Sequence, residues 1–482
     1  MKNYKKINRR NFIETTATAA AGFTVVPANV ISGLGHKAPS DKLNIAGIGI
    51  GGMGRGNLQR MSGENIVALC DVDWSTGGGG RRSGRVPQVF ETYPEAKRYH
   101  DWRVMYDEMG KSIDAIMCAT ADHTHAIITA NAIAMGKHAF TQKPLTHSVY
   151  ESRLLTKLAD KYKVATQMGN QGSSAEGVRL ICEWIWNGEI GEVEKIEAYT
   201  NRPIWPQGLT APAESESIPE GLDWDLFIGP AKYRPYNSEY HPWVWRGWWD
   251  FGTGALGDMA CHVMHPIFAA MKLTYPTKVT GSSSPFTIDS PPNAEIVHLV
   301  FPARQKPENV KINFSEIQVS WYDGGLKPQL PDNWPIDRVQ NSGVIFHGTK
   351  DTLVCGEYGT DPILISGRVP NVPKTLRRVE TTHEEDWIRA CKENSENRIP
   401  CASDFSEAGP FNEMVVMGVL ATRLQSLNKV LHWDGMNMAF TNISDNETVR
   451  LDRENSIPAK EFASELIKHN YRDGWSLPDM PS

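Results

Sequence analysis

A chain of 482 residues, 40% of them hydrophobic, is long enough to bury two or three packed domains and too varied in composition for a fibrous or disordered class. Its formal charge of −6 at pH 7 excludes the basic surface that nucleic-acid binding requires. Its seven cysteines, an odd number without CxxC spacing, indicate neither a disulfide framework nor a zinc knuckle, and Cys70 and Cys118 lie in apolar runs as core residues do.

Residues 1–36 read as a targeting segment. Lys2, Lys5, Lys6, Arg9 and Arg10 form a basic head, and the stretch from Thr15 to Val26 is too short and too polar to span a bilayer unaided. Arg9-Arg10-Asn11-Phe12-Ile13 resembles the twin-arginine export signal. Export to the periplasm or the outer face of the cytoplasmic membrane is therefore expected, with cleavage near Ala28 and an uncleaved anchor touching the membrane both open.

An apolar run beginning at Leu43 then enters Gly49-Ile50-Gly51-Gly52-Met53-Gly54, and a second apolar run, Ile66 to Cys70, ends at Asp71. The pattern predicts a dinucleotide site. Gly49 permits the sharp turn out of a strand, Gly51 has no side chain to hold off a pyrophosphate, and Gly54 lets the next helix pack closely. That helix, with Gly52 and Met53 at its start, turns unpaired N–H groups toward the phosphates. A carboxylate at Asp71 would accept from both ribose hydroxyls and repel a 2′-phosphate, favouring NAD over NADP. Arg81 and Arg82, beyond the Gly77 to Gly80 loop, weaken that preference without reversing it.

Strands are predicted near 43–49, 66–71, 114–119, 137–141 and 164–168, with helices near 54–61, 123–135 and 148–162. This alternation gives an α/β fold whose N-terminal part, residues 41–168, is a doubly wound parallel Rossmann sheet. Ligands of such sheets lie at the carboxyl ends of the strands, which places Thr120, Asp122, His125 and Gln142-Lys143-Pro144 beside the nucleotide. From 169 to 435 the pattern becomes that of an α+β domain with a mostly antiparallel open sheet. Its expected parts are a helix at 175–187, a strand at 192–201, a Pro/Trp-rich loop at 202–250, a helix at 258–271, strands at 277–282, 294–301, 311–320 and 343–347, and helices at 383–394 and 406–428. Residues 436–482 form a tail packing on the body.

Asp258, His262 and His265, spaced i, i+4 and i+7, fall on one helical face. The plainer reading makes Asp258 a helix cap and the histidines packed, and a divalent metal on the three is a further alternative. Six of the fifteen tryptophans lie between Trp205 and Trp249, beside Arg202, Arg246 and Asp250. Flat aromatic faces with charged neighbours suit a sugar-binding wall, and equally the packing of a long loop or subunit interface.

Together these motifs resemble the Gfo/Idh/MocA family of sugar oxidoreductases from Asp41 onward, with Gln142-Lys143-Pro144 standing where that family has Glu-Lys-Pro and Asp258-x-x-x-His262 where it has its catalytic Asp and His. Met168-Gly169-Asn170-Gln171-Gly172, Thr200 to Pro206 and Tyr471 to Trp475 resemble an exported bacterial subgroup. The resemblance implies hydride transfer to NAD from a secondary alcohol carbon of a sugar, glycoside or cyclitol. It places Lys143 beside the nicotinamide ribose and the substrate hydroxyl, His262 as proton acceptor and Asp258 as orienting group, with Asn170 toward the cofactor and Arg202, Trp205 and His265 toward the substrate. It also implies a homo-oligomer, dimer or tetramer, paired through the open sheet. Histidine suits proton transfer at neutral pH and a lysine cation stabilises a developing alkoxide. Gln142 withdraws an ion partner from Lys143. Because free NAD is not expected to be plentiful outside the cytoplasm, an exported enzyme is expected to hold its NAD tightly and recycle it. The alternatives are a plain dehydrogenase, a redox-neutral NAD-using glycosidase, lyase or epimerase, and a silent carbohydrate-binding homologue.

Overall fold

The computed structural model describes residues 41–75, 85–331, 333–334, 340–451 and 455–481. The targeting segment, the Gly77 to Gly80 loop, Arg81 and Arg82 lie outside these residues.

The first sheet is built from β1 (Asn44–Ile48), α1 (Met53–Arg60), β2 (Asn65–Cys70), α2 (Arg85–Thr92), β3 (Lys97–Tyr99), α3 (Trp102–Met109), β4 (Ala115–Cys118), α4 (Asp122–Ala134), β5 (His138–Thr141), α5 (Val149–Tyr162) and β6 (Thr166–Met168). Its strands run in the order β3-β2-β1-β4-β5-β6 and every pair is parallel. Central strands covered by helices on both faces must be apolar throughout, and Ala115, Ile116, Met117 and Cys118 of β4 are all fully buried. Strand order reverses between β1 and β4, which opens a crevice at their carboxyl ends. The elements α2, β3 and α3 were not expected. Strand β3 is an edge strand in which Lys97 and Arg98 are exposed and only Tyr99 is buried, so it carries no apolar run to signal it.

The second part comprises α6 (Glu176–Trp186), β7 (Val193–Thr200), α7 (Trp224–Ile228), α8 (Gly254–Val263), α9 (His265–Met271), β8 (Lys278–Ser283), β9 (Glu295–Phe301), β10 (Ile317–Tyr322), β11 (Ser342–Gly348), β12 (Thr352–Gly356), β13 (Ile363–Leu364), α10 (His383–Cys391), α11 (Phe405–Arg423), β14 (Leu431–Asp434), β15 (Ala439–Phe440), β16 (Thr448–Arg450), β17 (Ser456–Pro458) and α12 (Ala459–Ile467). Its main sheet has the order β13-β12-β11-β7-β10-β9-β8-β14-β15, antiparallel except where β7 meets β10. Residues 295, 297, 299 and 301 of β9 are buried while their neighbours are partly exposed, the alternation of a sheet with one covered face.

The long helix α11 ties the two sheets together. On one side Glu413 takes a bidentate ion pair from Arg153 of α5, and on the other its backbone at Ala421 comes so close to Gly281 of β8 that a Cβ there would sit 2.7 Å away. The tail closes over helices of both parts: Tyr471 donates to Glu151 of α5 at 2.6 Å, and Arg472 pairs with Asp225 of α7 at 2.6 Å.

The helix expected over 258–271 is two helices. Met264 ends α8, and α9 starts at His265 with Pro266 in its first turn, where the missing N–H costs nothing. Most of the tryptophan-rich loop packs on itself: Trp224, Phe227, Tyr236, Tyr240, Trp245, Trp248 and Phe251 form a small separate core. Among the described residues no helix is long and apolar enough to cross a membrane.

Candidate functional site

The turn after β1 is held as the glycine pattern requires. Gly49 lies at φ +76°, and a Cβ on it would meet the Ala119 carbonyl carbon at 2.6 Å; a Cβ on Gly54 would lie 2.1 Å from the Gly49 oxygen. Helix α1 has no side-chain cap, so its first N–H groups open toward the crevice. A cavity of about 230 Å³ runs from this turn, past Gly51, Gly52, Met53, Asp71, Thr120 and Asp122, to Gln142, Lys143 and Arg246. Bare backbone at a helix start and an acid at the end of β2 fit a dinucleotide.

Asp71 is more engaged than the sequence suggests. One carboxylate oxygen accepts the N–H groups of Ile50 (2.7 Å) and Gly51 (3.1 Å), and the other accepts that of Asp73 (3.0 Å). Burial nevertheless raises its pKa to about 6, because these bonds only partly replace water. Asp122, at the start of α4, accepts from the Thr253 hydroxyl and backbone at 2.8 and 3.1 Å. Burial raises it to about 7, with Arg246 and Lys143 opposing and Asp258 assisting.

At the far end of the cavity lies the charge centre. Lys143, after β5 and in a cis bond to Pro144, donates to the Asp258 carboxylate at 2.7 Å and to its backbone oxygen at 3.1 Å. Arg246 donates to the same carboxylate oxygen at 3.2 Å. Burial would push Asp258 up, but these two cations outweigh it and hold the carboxyl well below its ordinary range. One turn along α8 stands His262, 6% exposed, its ring 4.7 Å from that of Tyr358. Burial first, then Lys143 and Arg202 against the pull of Asp258, keep its imidazole far below the usual histidine pKa, so it is neutral at pH 7 and able to accept a proton.

Several predicted residues sit elsewhere. His125 does not line the cavity: its ring nitrogens meet the Pro144 and Thr120 carbonyls at 2.7 and 3.1 Å, bracing the Lys143-Pro144 turn from behind. His265 is turned away on α9 to Glu407, at 2.9 Å, because the helix breaks between it and His262. That break separates His265 from the Asp258–His262 pair, and among the described residues no three His, Cys, Asp or Glu side chains gather as metal ligands would. Asn170, at the end of β6, is buried and donates to the Cys261 carbonyl of α8 at 3.5 Å. The Arg202 cation acts on both His262 and Tyr358, whereas Trp205 is buried and donates to Gln207 at 2.9 Å.

Gln142 is tied into a buried chain: it donates to Asn57 of α1 at 3.0 Å, and Asn57 donates to Glu384 of α10 at 2.6 Å. Asn57, Glu384 and Tyr358 carried no sequence signal. Tyr358 is held at φ +65°, a conformation that costs a non-glycine residue about 1–3 kcal/mol.

Residues 43–170 match the family model described as "Oxidoreductase family, NAD-binding Rossmann fold" of GFO_IDH_MocA, and residues 189–289 match that family's C-terminal alpha/beta domain. A "Glycosyl hydrolase family 109 protein" of Shewanella pealeana is 24% identical over 229 residues, 42% of this chain and 47% of the relative. An "Inositol 2-dehydrogenase" of Serratia proteamaculans is 26% identical over 173 residues, 35% and 48% of the two chains. The chain thus spans about half the length of these curated relatives. The WlbA dehydrogenase of Bordetella pertussis, solved with NADH and UDP-GlcNAcA, shares the fold with a TM-score of 0.53 at 13% identity, over 82% of this chain and 99% of that one. The two domains of the Gfo/Idh/MocA oxidoreductase family are thus matched in order, at residues 43–170 and 189–289, around a glycine turn shaped for a dinucleotide and a crevice that ends at Lys143.

Proposed function

We propose that the protein is an NAD-dependent oxidoreductase that oxidises a secondary hydroxyl of a sugar, glycoside or cyclitol. The observation that carries this reading is the 2.7 Å Lys143–Asp258 pair at the end of the nucleotide crevice, with a neutral His262 one turn further along the same helix. Bound NAD supplies the hydride acceptor. His262 would take the hydroxyl proton, and the Lys143 cation, fixed by Asp258, would stabilise the alkoxide that develops. Arg246 holds Asp258 from the other side and stacks its guanidinium 4.2 Å from the Trp245 ring, at the cavity wall. The inositol 2-dehydrogenase relative favours a hydroxyl-bearing ring as substrate.

We further propose, from Arg9 and Arg10, that the protein is exported with NAD already bound and recycles it in place. The resemblance to the glycosyl hydrolase family 109 relative makes a redox-neutral, NAD-using glycosidase the second reading. Protein purified without added nucleotide is mixed with a panel of sugars, aryl glycosides and inositols while reduced-nicotinamide absorbance is followed. A stoichiometric rise without accumulation supports retained NAD and a sugar hydride donor. Steady accumulation once NAD is supplied means a freely exchanging dehydrogenase. Release of aryl alcohol without net reduction selects the glycosidase. No change with any substrate, in protein shown to hold NAD, refutes the hydride-transfer reading. Dimer or tetramer formation, proposed on family grounds, is read from light scattering.

A further inference from the structure

A second cavity, of about 460 Å³, opens between α12, the tail and the loop around Arg234, within the roughly 300–1,000 Å³ typical of small-molecule sites. It backs onto the nucleotide crevice at His123, which lines both, and is otherwise separate from it.

Most of its charges are already satisfied. Arg234 binds Asp250 at 2.6 Å and Asp289 at 2.8 Å, Lys232 binds Glu465 at 2.7 Å, and Glu151 accepts from Tyr471 while capping α5. Arg423 is different. Its guanidinium lies 5.0 Å from the ring centres of both Trp249 and Phe462, and among the described residues it makes no hydrogen bond or ion pair. Burial lowers its pKa to about 10 even though Asp250 and Glu465 pull the other way, because the two aromatic faces only partly replace the water this half-buried cation has given up. Its five N–H groups in a fixed fork are therefore available to a guest.

The surroundings narrow the guest. Asp250, Asp289, Glu151 and Glu465 outnumber Arg234, Lys232 and Arg423, which disfavours an anion; Arg423 itself disfavours a cation. Carboxylate acceptors, guanidinium donors and the Asn470 amide in one cavity suit a molecule whose groups both donate and accept. At its walls Tyr233 and Ile288 remain 67% and 47% exposed, apolar surface of the kind that covers a ring's C–H face.

We propose that this cavity is a second binding site, distinct from the hydride-transfer centre, for a neutral saccharide unit, with the Arg423 guanidinium as its main donor. The proposal does not depend on the catalytic reading.

The test titrates full-length protein, saturated with NAD, with glucose, N-acetylglucosamine, lactose and glucuronate by ligand-observed NMR and calorimetry. Lys143→Ala, which disables the proposed catalytic centre, keeps a neutral-saccharide site of unchanged Kd. Arg423→Met raises that Kd about tenfold or more, the value of a charged hydrogen bond. Ile288→Trp, at an exposed wall position that leaves the fold alone, narrows the cavity and does the same, and it decides the matter should Arg423→Met fail to fold. Glucuronate binding tighter than glucose, saccharide binding lost with Lys143→Ala, binding untouched by Ile288→Trp, or no saccharide binding at all overturns the proposal.

Discussion

Asp258 is shared by two cations, and that sharing predicts an asymmetry between the two halves of the Lys143–Asp258 pair. At an effective dielectric constant of about 20, unit charges at 2.7 and 3.2 Å attract by about 6 and about 5 kcal/mol. Asp258→Asn removes both attractions at once and leaves Lys143 and Arg246 facing each other in a site where their side chains are 12% and 23% exposed. Partial rehydration returns some of the loss, so the cost should fall at the lower end of the range for breaking buried pairs, about 3 kcal/mol. Lys143→Met, by contrast, leaves Asp258 still neutralised by Arg246 and loses two hydrogen bonds, of which only the one to the carboxylate crosses a charge pair, a smaller cost of about 2 kcal/mol. Urea unfolding, followed by both circular dichroism and tryptophan fluorescence so that coincidence of the curves can be checked, measures the two. Asp258 has a depressed pKa, so its contribution is present above the ordinary carboxylate value of 3.8 and is lost as pH falls from there toward its own. The gap between wild type and Asp258→Asn must therefore narrow in acid. A Lys143→Met variant as unstable as Asp258→Asn, or a gap that widens in acid, refutes the shared-carboxylate account.

Because burial raises Asp71 to about 6 and a ribose hydroxyl donates to its ionised form, NAD affinity should be flat above pH 7 and weaken toward tenfold per unit well below pH 6; Asp71→Asn should bind more weakly but without that slope, and an unchanged slope refutes the assignment. His262→Asn should lower hydride transfer by about 10²–10⁴ while leaving NAD affinity intact, which single-turnover reduction and calorimetry together resolve. Gln142→Glu should destabilise by about 1–3 kcal/mol, because the Asn57 oxygen would face a carboxylate and the Asn57 amide is already given to Glu384. Adding Glu384→Gln, which can donate back to Asn57, should recover most of that loss in thermal unfolding.

What could be read from the chain is what repeats locally. Central strands such as β4 are legible because both faces must be apolar, while β3 escapes because an edge strand with Lys97 and Arg98 exposed has no such run. The glycine turn and Asp71 were legible because their spacing is the chemistry. Helical phase alone misled at His265: its place on the Asp258–His262 face holds for an unbroken helix, and Pro266 signalled a weakening whose actual form, a new helix beginning at His265, swings the side chain to Glu407.

The rest of the site is contributed by segments far apart in sequence that meet only in the fold. Gln142 shows why this matters. Taken as a motif, glutamine in place of glutamate is a deficit, one acid fewer beside Lys143. In the folded protein Lys143 takes its counter-charge from Asp258, while Gln142 uses its amide, a donor that glutamate lacks, to hold Asn57 of the nucleotide helix, and Glu384 supplies the buried carboxylate at the end of the same chain. A buried carboxylate is thus present in this neighbourhood on α10, and Gln142 is bound to it through Asn57. The Lys143–Asp258 pair and the neutral His262 stand without a carboxylate at position 142.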